Sequence, residues 1–289
     1  MYPPKWYIGL DIQEHYIRAL AAIKRRDGWQ LRHCWQYHLS SEIISGGRLQ
    51  DPEKLLHILM QWRKILPKNL SVRLALPVQQ TLQRQITLPN HTALQEPELG
   101  WFVHASAEKQ FPVSELALDY RVHGQQICIS ATRQKDLNLW LNLFSELNLP
   151  LDAIDIAPCA LRYIAKLAGV PDDSWLIHKR MMDWLWVAPA NQPFSYGLVA
   201  SPSNSHLIQI INQLPMTQET ESYAIYYSDE EQATSVKVAS TISTQTLTSI
   251  KSANIWQLLM AFRHYHPPLP EKMNVFIIAA GLALRPSDQ

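Results

Sequence analysis

The chain has 289 residues, 47% of them hydrophobic, and a formal net charge of +1. This length and apolar content are enough to bury a large core in a two-lobed or two-domain protein. The near-neutral charge, with no run of like charges longer than the tripeptide Lys24, Arg25 and Arg26, disfavours a broad binding surface for nucleic acid or anionic lipid.

The N-terminus and the cysteines both favour a cytoplasmic location. No stretch approaches the roughly 18 apolar residues of a membrane-spanning helix, and the N-terminal residues MYPPKWYIGLD lack the charged and apolar segments of an export signal. Cys34, Cys128 and Cys159 are far apart in the chain, which suits buried free thiols in a reducing compartment better than disulfides.

The first half of the chain alternates predicted strands and helices. Alternating apolar residues predict three antiparallel strands, WYIGLDI, YIRALAAI and WQLRHCWQYHL. Asp51 as N-cap and Pro52 at the first helical position predict a helix over DPEKLLHILMQWRKIL. Strands SVRLALP and TLQRQITLP, the helix EPELGWFVHASAEKQF, a strand pair in ALDYRVHGQQICISAT and the helix QKDLNLWLNLFSELN follow.

The second half has a similar order of predicted elements. A short strand runs into a helix at Ala157, and Gly169 is placed to end that helix. Three strands in WLIHKRMMDWLWVAP and PFSYGLVAS, the helix HLIQIINQL, the strand YAIYYS, the helix NIWQLLMAFRHY and a last apolar strand MNVFIIAAGLAL follow. Both halves open on a strand hairpin, so we expect a duplicated α/β architecture in which helices cover mixed sheets.

Several segments in this order resemble the PilM family, the actin-like cytoplasmic proteins of type IV pilus assembly, and in particular its shorter enterobacterial version. They are IGLDI, SVRLALP, ITLP, EKQFPVSELALDY, ICISAT and LNLPLDAIDIAPCAL, and the likeness covers about residues 6–165. The resemblance implies an FtsA-like, two-lobed actin fold. Its first lobe would begin at residues 1–85, an inserted subdomain would occupy residues 86–150, and the second lobe would occupy residues 151–289.

The resemblance also implies a partner. Members of this family dock the cytoplasmic N-terminal peptide of a PilN- or HofN-like single-span membrane protein, which would place this chain at the inner membrane, and they could self-associate. The peptide would lie in a groove between the first subdomain and the inserted one, with apolar pockets and main-chain hydrogen bonds. Candidate wall residues are Leu88, Trp101, Phe102 and Phe111.

The first phosphate-binding turn of the actin-like ATPases is altered in this sequence. Family members that bind ATP have a glycine and small hydroxyl residues after the strand-one aspartate, whereas here Asp11 is followed by Gln13 and Glu14. Gln13 lacks the φ > 0 freedom of glycine, and Glu14 adds a negative charge near the phosphates. Asp11 could hold a water of hydrated magnesium or could be a structural turn residue.

The other two nucleotide elements are also altered. His178, Lys179 and Arg180 occupy the predicted second turn, where the family has an aspartate and a glycine; this basic turn could attract phosphate or be an exposed hairpin turn. The glycine run expected near the adenosine is reduced to Ala280 and Gly281, preceded by another alanine. We therefore expect a vestigial nucleotide cleft, with no catalytic residue, no metal site and no required cofactor, although weak binding of Mg-ATP stays open.

Three hypotheses of function follow. The first is a non-catalytic cytoplasmic scaffold of a type IV pilus-like or competence-like assembly, linked to the uptake and use of external DNA. The second is an active actin-like ATPase whose site tolerates these substitutions. The third is a protein that binds DNA directly, which the near-neutral charge disfavours.

Overall fold

The computed structural model describes residues 3–89, 94–111, 115–200, 207–215, 224–231, 249–251, 255–261 and 267–286. The strands are β1 (Trp6–Ile12), β2 (Tyr16–Arg25), β3 (Gly28–His38), β4 (Ile44–Ser45), β5 (Arg48–Leu49), β6 (Leu70–Leu76), β7 (Leu82–Thr87), β8 (Leu116–His123), β9 (Gln126–Arg133), β10 (Leu151–Ile156), β11 (Trp175–Lys179), β12 (Asp183–Val187), β13 (Tyr196–Ala200), β14 (Ala224–Asp229) and β15 (Ser249–Lys251). The α-helices are α1 (Pro52–Lys64), α2 (Glu98–Gln110), α3 (Gln134–Glu146), α4 (Ala157–Leu167), α5 (Leu207–Ile211) and α6 (Ile277–Leu284). Short 3-10 helices cover Val78–Gln80, Ile255–Leu259 and Met273–Phe276.

Two five-stranded sheets have the same strand order and the same strand directions. The first, in lobe 1, runs β3-β2-β1-β6-β10, and the second, in lobe 2, runs β13-β12-β11-β14-β15. In each sheet the first three strands of the half pair antiparallel, and the next two add in parallel. The predicted duplicated α/β architecture is confirmed.

Local sequence signals explain most of the elements of lobe 1. Oδ1 of Asp51 accepts a hydrogen bond from the backbone N–H of Lys54 at 2.9 Å, which caps α1 as the sequence predicts. Every residue of β6 is buried, because this strand lies between two parallel neighbours in the middle of the sheet and both of its faces are covered. The three cysteines are free thiols; Cys128 and Cys159 are buried, and Cys34 is half-buried.

A smaller three-stranded sheet, in the order β7-β9-β8, packs with α2 around its own apolar core. Strand β7 begins at Leu82, four residues before the predicted start of the insertion at residue 86, because it pairs with β9 along its whole length. Helix α3 was assigned to the insertion, but its buried Trp140 and Phe144 belong to the large core of lobe 1. The structure thus places the insertion at about residues 82–133.

The prediction of a strand over MNVFIIAAGLAL is wrong, because this segment forms a 3-10 helix followed by α6. All eight residues of α6 are buried, and its sequence is continuously apolar. Such a sequence has no polar–apolar periodicity from which a helix could be distinguished from a strand. A Cβ atom on Gly9 would lie 1.8 Å from the carbonyl oxygen of Ala279, and one on Gly281 would lie 2.0 Å from that of Ala160. Helix α6 therefore packs backbone to backbone between β1 and α4.

Two other predicted helices are shorter in the structure. Within NIWQLLMAFRHY the described part is a 3-10 helix at Ile255–Leu259, and residues 262–266 lie outside the described residues. Helix α5 covers five residues of the predicted HLIQIINQL.

Candidate functional site

The two hairpins that would cradle phosphates face each other across the lobes and enclose a narrow cavity, here called the interlobe cleft. Its walls are the β1–β2 hairpin (residues 11–18), residues 76–79, Ala157 and the turn at residues 180–183. The interlobe cleft has a cavity volume of about 40 Å³. Small-molecule sites usually have volumes of roughly 300–1,000 Å³, so the interlobe cleft is much smaller than a usual ligand site.

A buried ion pair closes this cleft. Arg18, on β2, donates two parallel hydrogen bonds to the carboxylate of Glu230, which directly follows β14; one is from Nη1 to Oε1, and the other is from Nη2 to Oε2 at 2.9 Å. The two side chains are 4% and 5% exposed. The backbone N–H of Met181 also donates to Oε2 of Glu230, at 3.3 Å. The pair joins two residues that are 212 positions apart and connects the lobes directly.

The charge on Glu230 is strongly stabilised in the folded protein. Burial by itself would raise the pKa of this carboxyl, but the neighbouring His178 and the charge of Arg18 lower its pKa to about 2. His178 is fully buried, with Nε2 3.6 Å from Oε1 of Glu230 and Nδ1 2.9 Å from the hydroxyl of Ser228. Bidentate pairing of arginine with a carboxylate is the geometry expected of a strong ionic contact.

Asp11 is present at the end of β1, but its carboxylate already has a protein partner. Nε2 of Gln13, the residue in place of the family glycine, donates to Oδ2 of Asp11 at 2.7 Å. Arg18 lies directly opposite Asp11 in the pairing of β1 with β2. Burial raises the pKa of Asp11, although the charges of Arg18 and Arg180 act in the opposite direction. A hydrated magnesium ion at Asp11 would have to displace the Gln13 side chain. Glu14, in the same hairpin turn, also lines the interlobe cleft.

The second predicted turn is displaced along the chain. His178 and Lys179 lie on β11, and the turn consists of residues 180–182, so the prediction that placed these two residues in an exposed turn is wrong. His178 is fully buried; its Nδ1 is paired with the hydroxyl of Ser228, whereas its Nε2 has no hydrogen-bond partner among the described residues. Lys179 Nζ contacts Asp229 at 3.4 Å and Glu231 at 3.0 Å.

Arg180 is the basic residue that does occupy this turn. Its guanidinium binds Asp183 through two hydrogen bonds, Nε to Oδ1 at 2.6 Å and Nη2 to Oδ2 at 2.7 Å. Carboxylates of the protein therefore already pair with both Lys179 and Arg180. The predicted adenosine residues, Ala280 and Gly281, lie in the buried helix α6 and do not line the interlobe cleft.

The sequence reasoning missed Arg18 and Glu230, which dominate this site. One signal was available for Arg18, because it is a charged residue within the apolar strand YIRALAAI, and a buried arginine requires a charged or strongly polar partner. Nothing in the sequence indicates that Glu230 is this partner.

A second and wider opening, here called the subdomain groove, lies between the three-stranded sheet and lobe 1. The subdomain groove has a cavity volume of about 210 Å³. Its walls are residues 117–121, residues 128–132, Leu76, Thr81, Leu137, residues 154–156 and Cys159. Along β8, Leu116, Leu118 and Tyr120 pack on the small core beneath α2. The alternate residues Ala117, Asp119 and Arg121 consequently face the groove.

The predicted wall residues do not line the subdomain groove. Phe111 is buried in the small core, and Leu88 and Phe102 are half-buried against that same core. Trp101 is 67% exposed on α2, away from the groove. Their apolar character reflects the packing of α2 on its sheet, which sequence alone does not distinguish from a peptide-binding wall.

Two further properties concern the described residues only. None of the helices there is long and apolar enough to cross a membrane. In the same part of the chain, no three histidine, cysteine or acidic side chains are grouped so that they could hold a metal ion.

Comparisons with known proteins agree on one family. The family model described as type IV pilus assembly protein PilM matches residues 9–172. The DNA utilization protein HofM of Escherichia coli (strain K12) is 27% identical over 185 residues, which are 63% of this chain and 71% of HofM.

Solved structures show the same fold. A chain of the PilM-PilN type IV pilus biogenesis complex superposes with a TM-score of 0.72 at 16% identity, over 96% of this chain and 97% of that one. The cytoplasmic domain of EpsL, an inner membrane component of the type II secretion system of Vibrio cholerae, gives a TM-score of 0.59 at 11% identity, over 88% and 92% of the two chains. At these identities the likeness concerns the fold.

Proposed function

The chain belongs to the family of type IV pilus assembly protein PilM, whose model matches more than half of its length, and from this premise we propose that it is a non-catalytic scaffold that docks a PilN-like membrane protein. The partner's cytoplasmic tail would occupy the subdomain groove. In this proposal the chain is a cytoplasmic protein held at the inner membrane by its partner. Through the assembly, rather than by direct contact with DNA, it would serve the uptake or use of external DNA; the name of HofM mentions DNA utilization.

One contrast carries the proposal: the interlobe cleft is filled by the protein's own side chains, whereas the subdomain groove is open. The groove is about five times as large as the cleft, and its walls combine apolar side chains with a few polar groups, as ligand-binding sites generally do. Strand β8, which lines it, is an edge strand of the three-stranded sheet. An extended peptide can add main-chain hydrogen bonds at such an edge.

An active ATPase would require a different conformation. The phosphates and their metal would need the space now held by Arg18 and Glu230, so this pair would have to separate. Separation leaves two charges without their partners, and in a buried site this is strongly unfavourable.

Calorimetric titration with the synthetic cytoplasmic tail of the PilN-like protein from the same organism tests the proposal. We expect a dissociation constant in the micromolar range or lower, unchanged by Mg-ATP, because the Arg18–Glu230 pair closes the interlobe cleft. A tail that binds only in the presence of Mg-ATP would identify a working nucleotide site and contradict the non-catalytic assignment. A tail that binds under neither condition would contradict the docking role.

A further inference from the structure

A second cavity continues from one end of the subdomain groove. This second cavity has a volume of about 290 Å³. Arg121 and Cys159 line both it and the subdomain groove. Its walls also include the basic side chains of Arg162 and Lys166 and the carboxylate of Asp172. Three cationic residues and one acidic residue give this end of the opening a positive charge.

Two of these cations lie against one aromatic ring. The guanidinium carbons of Arg121 and Arg162 are 4.4 Å and 4.8 Å from the ring centroid of Phe194. Stacking on a ring fixes the orientation of a guanidinium and leaves its edge available to a planar acceptor. The two arginines reach this ring from different elements, β8 and α4, so the fold brings two like charges close together.

Arg162 has unused hydrogen-bonding capacity. Its Nη2 donates to the carbonyl oxygens of Ala188 at 2.8 Å and Pro189 at 2.6 Å. Its Nε is buried and has no hydrogen-bond partner among the described residues. Burial and the neighbouring charge of Arg121 lower the pKa of Arg162 to about 10. This half-buried guanidinium therefore has no carboxylate in direct contact.

Arg121, which is half-buried, also has no carboxylate in direct contact, and Asp155 acts on it only from a longer distance by its charge. Its Nη1 donates to Sγ of Cys159 at 3.0 Å, and burial raises the pKa of that thiol, so the sulfur supplies no negative charge at neutral pH. Asp155, nearby, is paired with Arg285 at 3.2 Å. Asp172 is exposed on the rim. Within the part of the chain that the structure describes, no carboxylate oxygen lies within 4.0 Å of either arginine.

We propose that Arg121 and Arg162 form a carboxylate-binding site at the end of the subdomain groove, and that this site takes an acidic side chain of the docked tail. The inference rests on the proposed docking function and makes it more specific, because it states a chemical requirement on the partner. The tail would place apolar side chains beside Ala117 and Ile154 and an aspartate or glutamate between the two guanidiniums. A carboxylate with two planar acceptor atoms matches two arginine donors in geometry and charge.

The test compares tail binding by the full chain and by two variants, Arg121→Gln and Arg162→Gln. Arg84→Gln is the matched control, because Arg84 also lies over a phenylalanine ring, that of Phe111, but on β7, away from the groove. We expect each groove variant to weaken binding of the synthetic tail about tenfold or more, since charge-assisted hydrogen bonds are lost. The control should bind as the unmodified chain does. Amide substitution of the acidic residue in the tail should weaken binding to the unmodified chain and have little further effect on Arg162→Gln.

The outcomes separate this inference from the docking proposal. Equal tail binding by the unmodified chain and both groove variants would overturn the carboxylate site while leaving docking intact, and so would a tightly binding tail without an aspartate or glutamate. If no tail binds, docking itself fails and the occupant named here is wrong. Thermal unfolding in sodium succinate against sodium chloride of equal ionic strength is an independent test of the arginine pair. Succinate should raise the midpoint of the unmodified chain more than that of Arg162→Gln, and equal shifts would overturn the site.

Discussion

The interlobe cleft and the subdomain groove are both openings between parts of one actin-like fold, but their charges are balanced in opposite ways. In the cleft, Arg18 is matched by Glu230 and Arg180 by Asp183, each through two hydrogen bonds, and about 40 Å³ remains open. The groove offers about 210 Å³, and at its end Arg121 and Arg162 have no carboxylate partner among the described residues.

The difference shows which of the two openings is better suited to bind a ligand. If the polar groups of a site already pair with each other, ligand binding releases little free energy, because the ligand must first break those contacts. If a site has unpaired hydrogen-bond donors and open volume, each contact with a ligand can contribute to the free energy of binding. The actin-like fold is retained here, while the wider opening lies between the insertion and lobe 1.

The largest expected effect comes from breaking the ion pair of the interlobe cleft. Arg18→Met removes one partner and leaves the Glu230 carboxylate buried without its main counter-charge, so we expect the free energy of unfolding to fall by about 3–5 kcal/mol. Urea unfolding measures this loss. The double variant Arg18→Met with Glu230→Leu should recover most of it, because an apolar pair leaves no charge unpaired. A loss below about 1 kcal/mol for the single variant would contradict a buried, connecting pair.

Acid should weaken the same pair in a defined pH range. The pKa of Glu230 is lowered from its ordinary value of 4.5 to about 2, so its contribution to stability is complete above pH 4.5 and is lost as the pH falls toward 2. The full loss amounts to about 3 kcal/mol. We expect the stability difference between the unmodified chain and Glu230→Gln, measured by urea unfolding, to be constant from pH 7 to 5 and to shrink below that. A difference independent of pH down to 3 would exclude this role for the Glu230 charge.

A smaller effect should follow from filling the groove. Ala117 is half-buried and faces the subdomain groove, so Ala117→Trp places an indole in the space for the tail without displacing core residues. We expect tail binding to weaken at least about tenfold, or about 1.4 kcal/mol, in a protein with a nearly unchanged unfolding midpoint. Trp101→Ala is the control, because Trp101 is exposed outside the groove. If Trp101→Ala weakened binding and Ala117→Trp did not, the tail would lie on α2 instead.

The smallest effect is expected at Asp11. Burial raises the pKa of Asp11 above its ordinary value of 3.8, so its negative charge disfavours folding at neutral pH, and this cost disappears as the pH falls through the raised pKa. Asp11→Asn keeps an acceptor for Gln13 and should slightly increase stability at pH 7, by less than the other changes. The gain should vanish toward pH 4 in urea unfolding experiments. A loss of stability at pH 7 would mean that Arg18 and Arg180 depend on this charge.

Local sequence patterns were sufficient to predict much of the fold and some of the residues of the interlobe cleft. The three N-terminal strands, the capped helix α1 and the order of strands in both halves follow from alternation and capping, which act within a few residues. The replacement of glycine by Gln13 was also visible, and the structure shows its side chain on Asp11. Helix α6 and the second turn were placed wrongly, because a fully apolar segment and a short hairpin carry weak local signals.

The sequence by itself determined the duplicated sheet architecture and the loss of the glycine-rich phosphate and adenosine elements. Only the tertiary structure decided that Arg18 pairs with Glu230, that His178 is an interior residue, and that Arg121 and Arg162 meet over Phe194. The physical reason is distance along the chain. Strands and caps arise from neighbouring residues, whereas a pair separated by 212 positions forms only when the packing of two lobes brings its partners together.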